Sequence, residues 1–301
     1  MDTLEDTTDS PYYSDGRQRA WNHSSLEPAK ACPRKYYYSV IEGWRPKSSS
    51  DDIIFGSHYA KALESYHRYR ALGEGYEAAV ERVVLEAMID TMEWESDHKL
   101  KNRENLIRSI IWYLDIYKND PCKTLILDNG KPAVELSFRF RLDEEIELCG
   151  HLDRIVIYGD DVYIQDQKTT GASLGSYYYQ RYNPNDQMSL YTVAGQIVYK
   201  QPIKGIMIDV AQIAVGFSRF ERGFTFRTEA QTTKWLADVR YWIHRTWEAG
   251  EADWPLNDAA CMLYGGCPFR SVCSKDPAVQ QQYLETSFYR HYNNPLAERN
   301  E

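Results

Sequence analysis

No stretch of about 18 consecutive apolar residues occurs in this sequence, so no membrane-spanning helix is expected. The N-terminus, MDTLEDTTDSPYYSDGRQRA, has neither the basic start nor the apolar core of a secretory signal. These absences predict a cytoplasmic protein, in the host cytoplasm if viral. Its first 20 or so residues read as a disordered leader. Basic excess is missing as well: 35 Lys and Arg stand against 44 Asp and Glu, a net charge of −9. Such a chain cannot lay a broad positive footprint on nucleic acid, although a narrow basic groove in an acidic body is compatible with it. No G-x-x-x-x-G-K-[ST] segment is present, so no helicase motor is encoded. Internal repeats and flexible linkers are lacking too. Cysteines are few, six in 301 residues, but three of them crowd near the C-terminus. In a cytoplasmic chain that pattern suggests a metal site more than disulfides.

What is present reads as one α/β domain with helical additions. Ser57 stands near the N-cap of a helix expected over HYAKALESYHRYRAL. Two further helices are predicted over 76–95 and 102–119. In the second, Ile107, Ile110, Ile111, Leu114 and Tyr117 recur at helical spacing. The period then drops to two over 133–142 and through a hairpin. A helix follows in NPNDQMSLYTVAGQIVY, then strands over 203–215 and 223–228. A Trp-rich helix over 229–249 has Gly250 as its C′ residue. The cysteine-rich segment 261–273 closes the chain.

The hairpin, GHLDRIVIYGDDVYIQDQKTTG (150–171), carries Asp153, Asp166 and Lys168 among apolar residues. A tight turn at Gly159–Asp160 pairs Tyr158 with Asp161, Val156 with Tyr163 and Asp153 with Asp166. Residues directly opposed share a face, with Cβ atoms about 4.5–5.5 Å apart. Lys168, two positions beyond Asp166, shares that face. Two carboxylates that close repel unless a cation lies between them, and Mg²⁺ suits such oxygens. The lysine could then offset charge on a reacting oxyanion. A surface strand end with solvated charges is the competing reading, and spacing alone leaves both open.

GHLDRI…YIQDQKTT resembles the core of PD-(D/E)XK nucleases of the RecB type, where G-x-x-D-R precedes a strand bearing (D/E)-x-K. The resemblance implies a restriction-endonuclease-like α/β fold: a central mixed sheet flanked by helices, with a helical addition. It implies Asp153 and Asp166 as ligands of Mg²⁺ or Mn²⁺, the Gln167 carbonyl as a further ligand, and Lys168 as the catalytic lysine. RecB-type members carry Q-x-x-x-Y on the next helix, matched by Gln187 and Tyr191, which line the site and contact DNA. FGSHYAKALESY resembles the upstream helix of such nucleases and implies His58 as a metal ligand or close neighbour. Glu135 matches a position where relatives often have an acid.

Cys32 with Cys261, Cys267 and Cys273 resembles the iron–sulfur staple of AddB-type nucleases and of the fourth CRISPR-associated (Cas) family. It implies a [4Fe–4S] cluster joining the N- and C-terminal regions, with zinc as the alternative. Both late gaps hold five residues, whereas commoner forms bring two of these cysteines within two residues. Cys122 and Cys149 fall outside the pattern and read as buried free thiols.

The domain is expected over 21–285, with a helical part at 56–120, a catalytic core at 133–228, a cysteine-rich closure at 250–275 and a tail at 286–301. The implied activity is a metal-dependent deoxyribonuclease, an exonuclease on DNA ends or single strands. Tyr177, Tyr178, Tyr179 and Tyr182, interleaved with Arg181, either stack on bases or form a lid packed on the protein. The resemblance also admits a phage-encoded member, a homo-oligomer, and a processing subunit of a recombination or CRISPR-adaptation assembly. A zinc-stabilised scaffold without activity is the remaining alternative.

Overall fold

The structure, a computed structural model, describes residues 10–48 and 50–297. Along the chain come β1 (Ala20–Trp21), α1 (His23–Ala31), α2 (Pro33–Tyr36), β2 (Trp44–Pro46), α3 (Asp51–Ala71), α4 (Tyr76–Asp90) and α5 (Arg103–Ile116). Then follow β3 (Lys123–Thr124), β4 (Val134–Arg141), β5 (Glu147–Tyr158), β6 (Asp161–Thr170), α6 (Ser176–Gln180), α7 (Asp186–Tyr199), β7 (Gly205–Ala214) and β8 (Phe217–Thr225). The chain ends with α8 (Glu229–Glu251), α9 (Arg270–Cys273), α10 (Pro277–Ser287) and β9 (Phe288–Arg290). Among the described residues two compact units form: 50–136 with 151–228, and 10–48 with 137–150 and 229–297. Neither unit is continuous in sequence.

In the first of these units β5 and β6 pair antiparallel, with Tyr158 opposite Asp161 and Val156 opposite Tyr163, the register read from the sequence. β6 and β7 are parallel, β7 and β8 antiparallel, and β3 joins β5 antiparallel. The sheet is therefore mixed, and helices cover both faces. On one face α3, α4 and α5 pool Phe55, Tyr59, Leu63, Val83, Leu106, Ile110 and Leu114 over Ala211 and Ile213 of β7. Asn102 caps α5 by accepting the Asn105 N–H, satisfying a donor that the first turn leaves without a helical partner. On the other face α7 approaches closely at Gly195, where a Cβ would fall 2.4 Å from Ile164 Cδ1.

Under α5 lies a buried polar network. Asp209 Oδ2 accepts from Tyr113 (2.6 Å), Gln165 Nε2 (2.6 Å) and Arg222 Nε (3.0 Å). Arg222 also grips Asp120 with two nitrogens, each at 2.7 Å. Removing one member of such a set strands the opposite charges. Arg222→Met is therefore expected to cost about 3–5 kcal/mol in urea unfolding. A loss under about 1 kcal/mol would place the weight on packing, the scale of an exposed pair.

In the second unit β1 lies parallel to the start of β5, and β2 pairs antiparallel with β9. Trp21 stacks on Tyr36 at 5.4 Å and Tyr37 on Trp254 at 5.3 Å. Tyr38, Trp44, Phe269, Val272, Leu284 and Phe288 form a separate small core.

Several boundaries differ from the sequence reading. α3 begins at Asp51, so Ser57 is interior to it; the two acids at its start suit the positive end of the helix dipole. α8 runs to Glu251, through Gly250. Of the expected leader, residues 1–9 lie outside the described residues. From Ser10 the chain is placed: Tyr12 is bridged to Gln18 and the Tyr13 hydroxyl donates to the Glu145 carbonyl at 2.6 Å. The expected tail contributes β9, because Phe288 is buried against the small core.

Candidate active site

The face of β6 that carries Ile164 also carries Asp166 and Lys168, since side chains alternate along a strand. Asp166 is fully buried. Both of its oxygens face the Lys168 ammonium, Oδ1 accepting from Nζ at 2.9 Å and Oδ2 lying 2.7 Å from it. Burial, opposed by Lys168 and aided by Asp153, pushes the Asp166 carboxyl up to about 7. The Lys168 ammonium is held above its usual value by Asp166 and Asp153, despite its burial. The β5–β6 ladder ends at Arg154–Gln165, one step before Asp153 and Asp166, so those two carboxylates are not a directly opposed pair as the sequence register has them. There Asp153 Oδ2 accepts the Gln167 backbone N–H at 3.0 Å.

α7, capped by Asn185 on Met188 N–H, adds the next wall. Gln187 Nε2 donates to the Tyr191 hydroxyl at 3.0 Å, as expected for two residues one turn apart. Burial, then the charges of Asp153, Asp166 and Glu135, hold the Tyr191 hydroxyl well above its usual value, so it stays protonated. Glu135 occupies a left-handed backbone conformation, φ 51°, which costs a non-glycine residue about 1–3 kcal/mol and recurs at functional sites.

The tyrosine segment sits differently from the base-stacking expectation. Tyr178 and Tyr182 are buried, with hydroxyls 3.2 Å apart, and the Tyr179 hydroxyl donates to the Glu221 carbonyl. Arg181 lies over the Tyr178 ring at 4.3 Å, and only Tyr177 of the four is widely exposed, at 83%. These rings form the packed lid, not an open stack. Tyr178 acts on Lys168 and Tyr182 feels Asp166, so they belong to the inner wall of the site. Their spacing of four residues, Tyr178 on α6 and Tyr182 just past its end, was the available signal. His58 stands apart from the carboxylates: its ring faces Trp94 at 6.2 Å, and the charges acting on it are Asp90 and Lys61. Gly56 shows why: α3 approaches β6 at Thr169, on the face opposite Asp166. Among the described residues no three His, Cys, Asp or Glu side chains are grouped to hold a metal.

The donors present nonetheless fit a hard divalent cation, which prefers carboxylate and carbonyl oxygens: the carboxylates of Asp166 and Asp153 come together at the Gln167 main chain, whose N–H Asp153 accepts. The family model of the PD-(D/E)XK nuclease superfamily matches residues 20–274. The chain belongs to the PD-(D/E)XK nuclease superfamily. A candidate exonuclease from Eubacterium rectale has a similar solved structure, with TM-score 0.52 and 10% identity over 94% of this chain and 98% of that one. At that identity the likeness concerns the fold. The structure of SSO0001 is 12% identical over 74% of this chain and 76% of its own, with TM-score 0.30. No curated protein matches. No helix among the described residues is long and apolar enough to cross a membrane.

The cysteines lie in the other unit. Cys32 is buried; Cys261, Cys267 and Cys273 are partly so, and all are free thiols. Burial raises the thiols of Cys267 and Cys273, and the neighbouring thiols raise them further: Cys32 and Cys261 act on both. The Asn257 N–H points at Cys32 Sγ from 3.4 Å.

Proposed function

We propose that the chain is a metal-dependent deoxyribonuclease, an exonuclease acting on DNA ends or single strands. The observation that carries this is the Asp153–Asp166–Lys168 group within a PD-(D/E)XK fold. Mg²⁺ or Mn²⁺ bound by Asp153, Asp166 and the Gln167 carbonyl would supply Lewis-acid polarisation of the phosphodiester and a water acidified enough to attack it. Lys168, part-exposed at 27%, keeps its proton and presents a fixed positive charge where the phosphate gains negative charge. Tyr191, protonated and held by Gln187, orients the wall facing the carboxylates. The proposal includes a [4Fe–4S] cluster on Cys32, Cys261, Cys267 and Cys273, favoured by Cys32 and Cys261 lying near enough to raise the Cys267 and Cys273 thiols and by the Asn257 N–H aimed at Cys32. A role as a processing subunit uses the same site, and zinc on the cysteines would leave it unchanged.

The test is digestion of end-labelled single- and double-stranded DNA, with and without Mn²⁺, by protein purified anaerobically. Labelled mononucleotides appearing from the first minutes support an exonuclease. Internal fragments alone would make it an endonuclease, and no hydrolysis under any metal would remove the nuclease reading. Lys168→Met separates charge from ligation. It should lose about 10²–10³-fold in rate, the scale of one preorganised electrostatic contact, while still binding Mn²⁺ in calorimetry. Loss of Mn²⁺ binding in this variant would make the lysine structural.

A further inference from the structure

On the sheet face opposite the carboxylates, two unassigned features adjoin. Thr124, Val156, Tyr163 and Gly205 are directly opposed across β3, β5, β6 and β7, so they share that face. Arg154, Gln165, Met207 and Phe224 form the next row. Phe226 fills the space above Gly205, where a Cβ would fall 2.6 Å from its ring. Phe224 and Phe226 lie nearly parallel, 8° apart with centroids at 6.4 Å, and Tyr158 stacks on Phe224 at 6.2 Å. These three rings stay open to solvent, 39–51% exposed.

Beside them is a pocket of about 320 Å³ whose open cations are Arg70, Lys118 and Lys123; Arg154 and His67 also line it but are buried, Arg154 spent on Gln165, Thr124 and the Cys122 carbonyl, and the His67 imidazole lowered by burial and by Arg154. The single acid among its lining residues, Asp120, is already neutralised by the two-nitrogen grip of Arg222. Lys118 pairs with Glu77, but that carboxylate is 84% exposed and such a pair is weak and screened. Cys122 lines the pocket and packs with Val156, Tyr163 and Met207, so pocket and aromatic row are continuous.

We propose that this face is an accessory site for single-stranded nucleic acid, with phosphate in the basic pocket and bases on Tyr158, Phe224 and Phe226. Only a single strand offers base faces for stacking, and the basic pocket calls for an anionic partner. The proposal rests on the nuclease reading for its choice of ligand, but not on cleavage.

The experiment is fluorescence anisotropy of the full chain with a labelled oligothymidylate in EDTA, where no hydrolysis occurs. Phe224→Ala with Phe226→Ala, and separately Arg70→Glu, should each weaken binding about tenfold or more. Arg70→Glu should also flatten the salt dependence. Both variants change exposed side chains, and circular dichroism checks their fold. Mn²⁺-dependent hydrolysis of bis(p-nitrophenyl) phosphate, too small to span both sites, should stay at the wild-type rate. Weakened binding in folded variants upholds the site even where the wild type hydrolyses nothing, in which case only the nuclease reading fails. A wild type that binds no strand, or unchanged affinity in both variants, overturns it. So does a variant that only converts a dimer to monomers, because the rings would then be covered by a second copy.

Discussion

Asp166→Asn is expected to abolish metal-dependent cleavage, with a loss of at least about 10³-fold, and to leave the protein folded. The amide removes the buried carboxylate that would hold the cation, so Mn²⁺ affinity should collapse with the rate. The fold should survive because the charge it removes is unfavourable where it sits. Asp166 is fully buried, and its carboxyl is pushed up to about 7 by that burial. A carboxyl raised in the folded state contributes stability that is present below its unfolded value, near 3.8, and is lost as pH rises through about 7. Metal-free wild type should therefore lose stability between pH 4 and pH 7 relative to Asp166→Asn. Mn²⁺ should restore it, since it binds only the folded form. The measurement is a set of thermal melts across that range, alongside cleavage assays. Wild-type rates in the variant would remove Asp166 from the chemistry. A pH-independent gap between the two proteins would mean that the carboxyl is not tuned by its surroundings.

The hairpin and its charged interruption were legible because both are local. Strict alternation and Gly159 set the register, and the register sets the face shared by Asp166 and Lys168. Gln187 and Tyr191 were legible for the same reason, four residues apart on one helix. What the sequence withheld depends on distant partners. Gly56 and Ser57 look like a helix start, yet Gly56 is where α3 passes close to Thr169 of β6. That approach turns α3 so that His58 meets Trp94. The tyrosines after β6 have the composition of an open stacking surface, and only burial shows that Tyr178 and Tyr182 point inward. The network joins Arg222 to Asp120 and Tyr113 to Asp209, each pair about a hundred positions apart, and no periodicity reports it. The open rings of Phe224 and Phe226 were hidden in the same way, as ordinary strand residues.

The second large effect is expected at Cys32. If Cys32, Cys261, Cys267 and Cys273 share one [4Fe–4S] cluster, anaerobically purified protein should be brown, and Cys32→Ser should bleach it. Cys32 precedes Pro33 at the start of α2, and its sulfur takes the Asn257 N–H, so it sits where the two ends of the chain meet within one unit. Burial keeps Cys267 and Cys273 protonated in the metal-free chain, so cluster assembly must expel protons and should weaken in acid. Losing one of four thiolates also removes the tie across more than two hundred residues, leaving 261–273 held by short helices and turns. Limited proteolysis should then cut that segment first. Cys122 and Cys149 are the controls. Burial pushes each thiol up to about 12, and they are spent elsewhere: Cys122 against Met207 and Arg222, Cys149 on the Trp21 carbonyl. Alanine at either should leave the colour intact. Colour that survives Cys32→Ser would break the four-cysteine set. One equivalent of zinc without iron would replace the cluster by a zinc knot on the same thiols, for which the bleaching test would be silent and the proteolysis test would still hold.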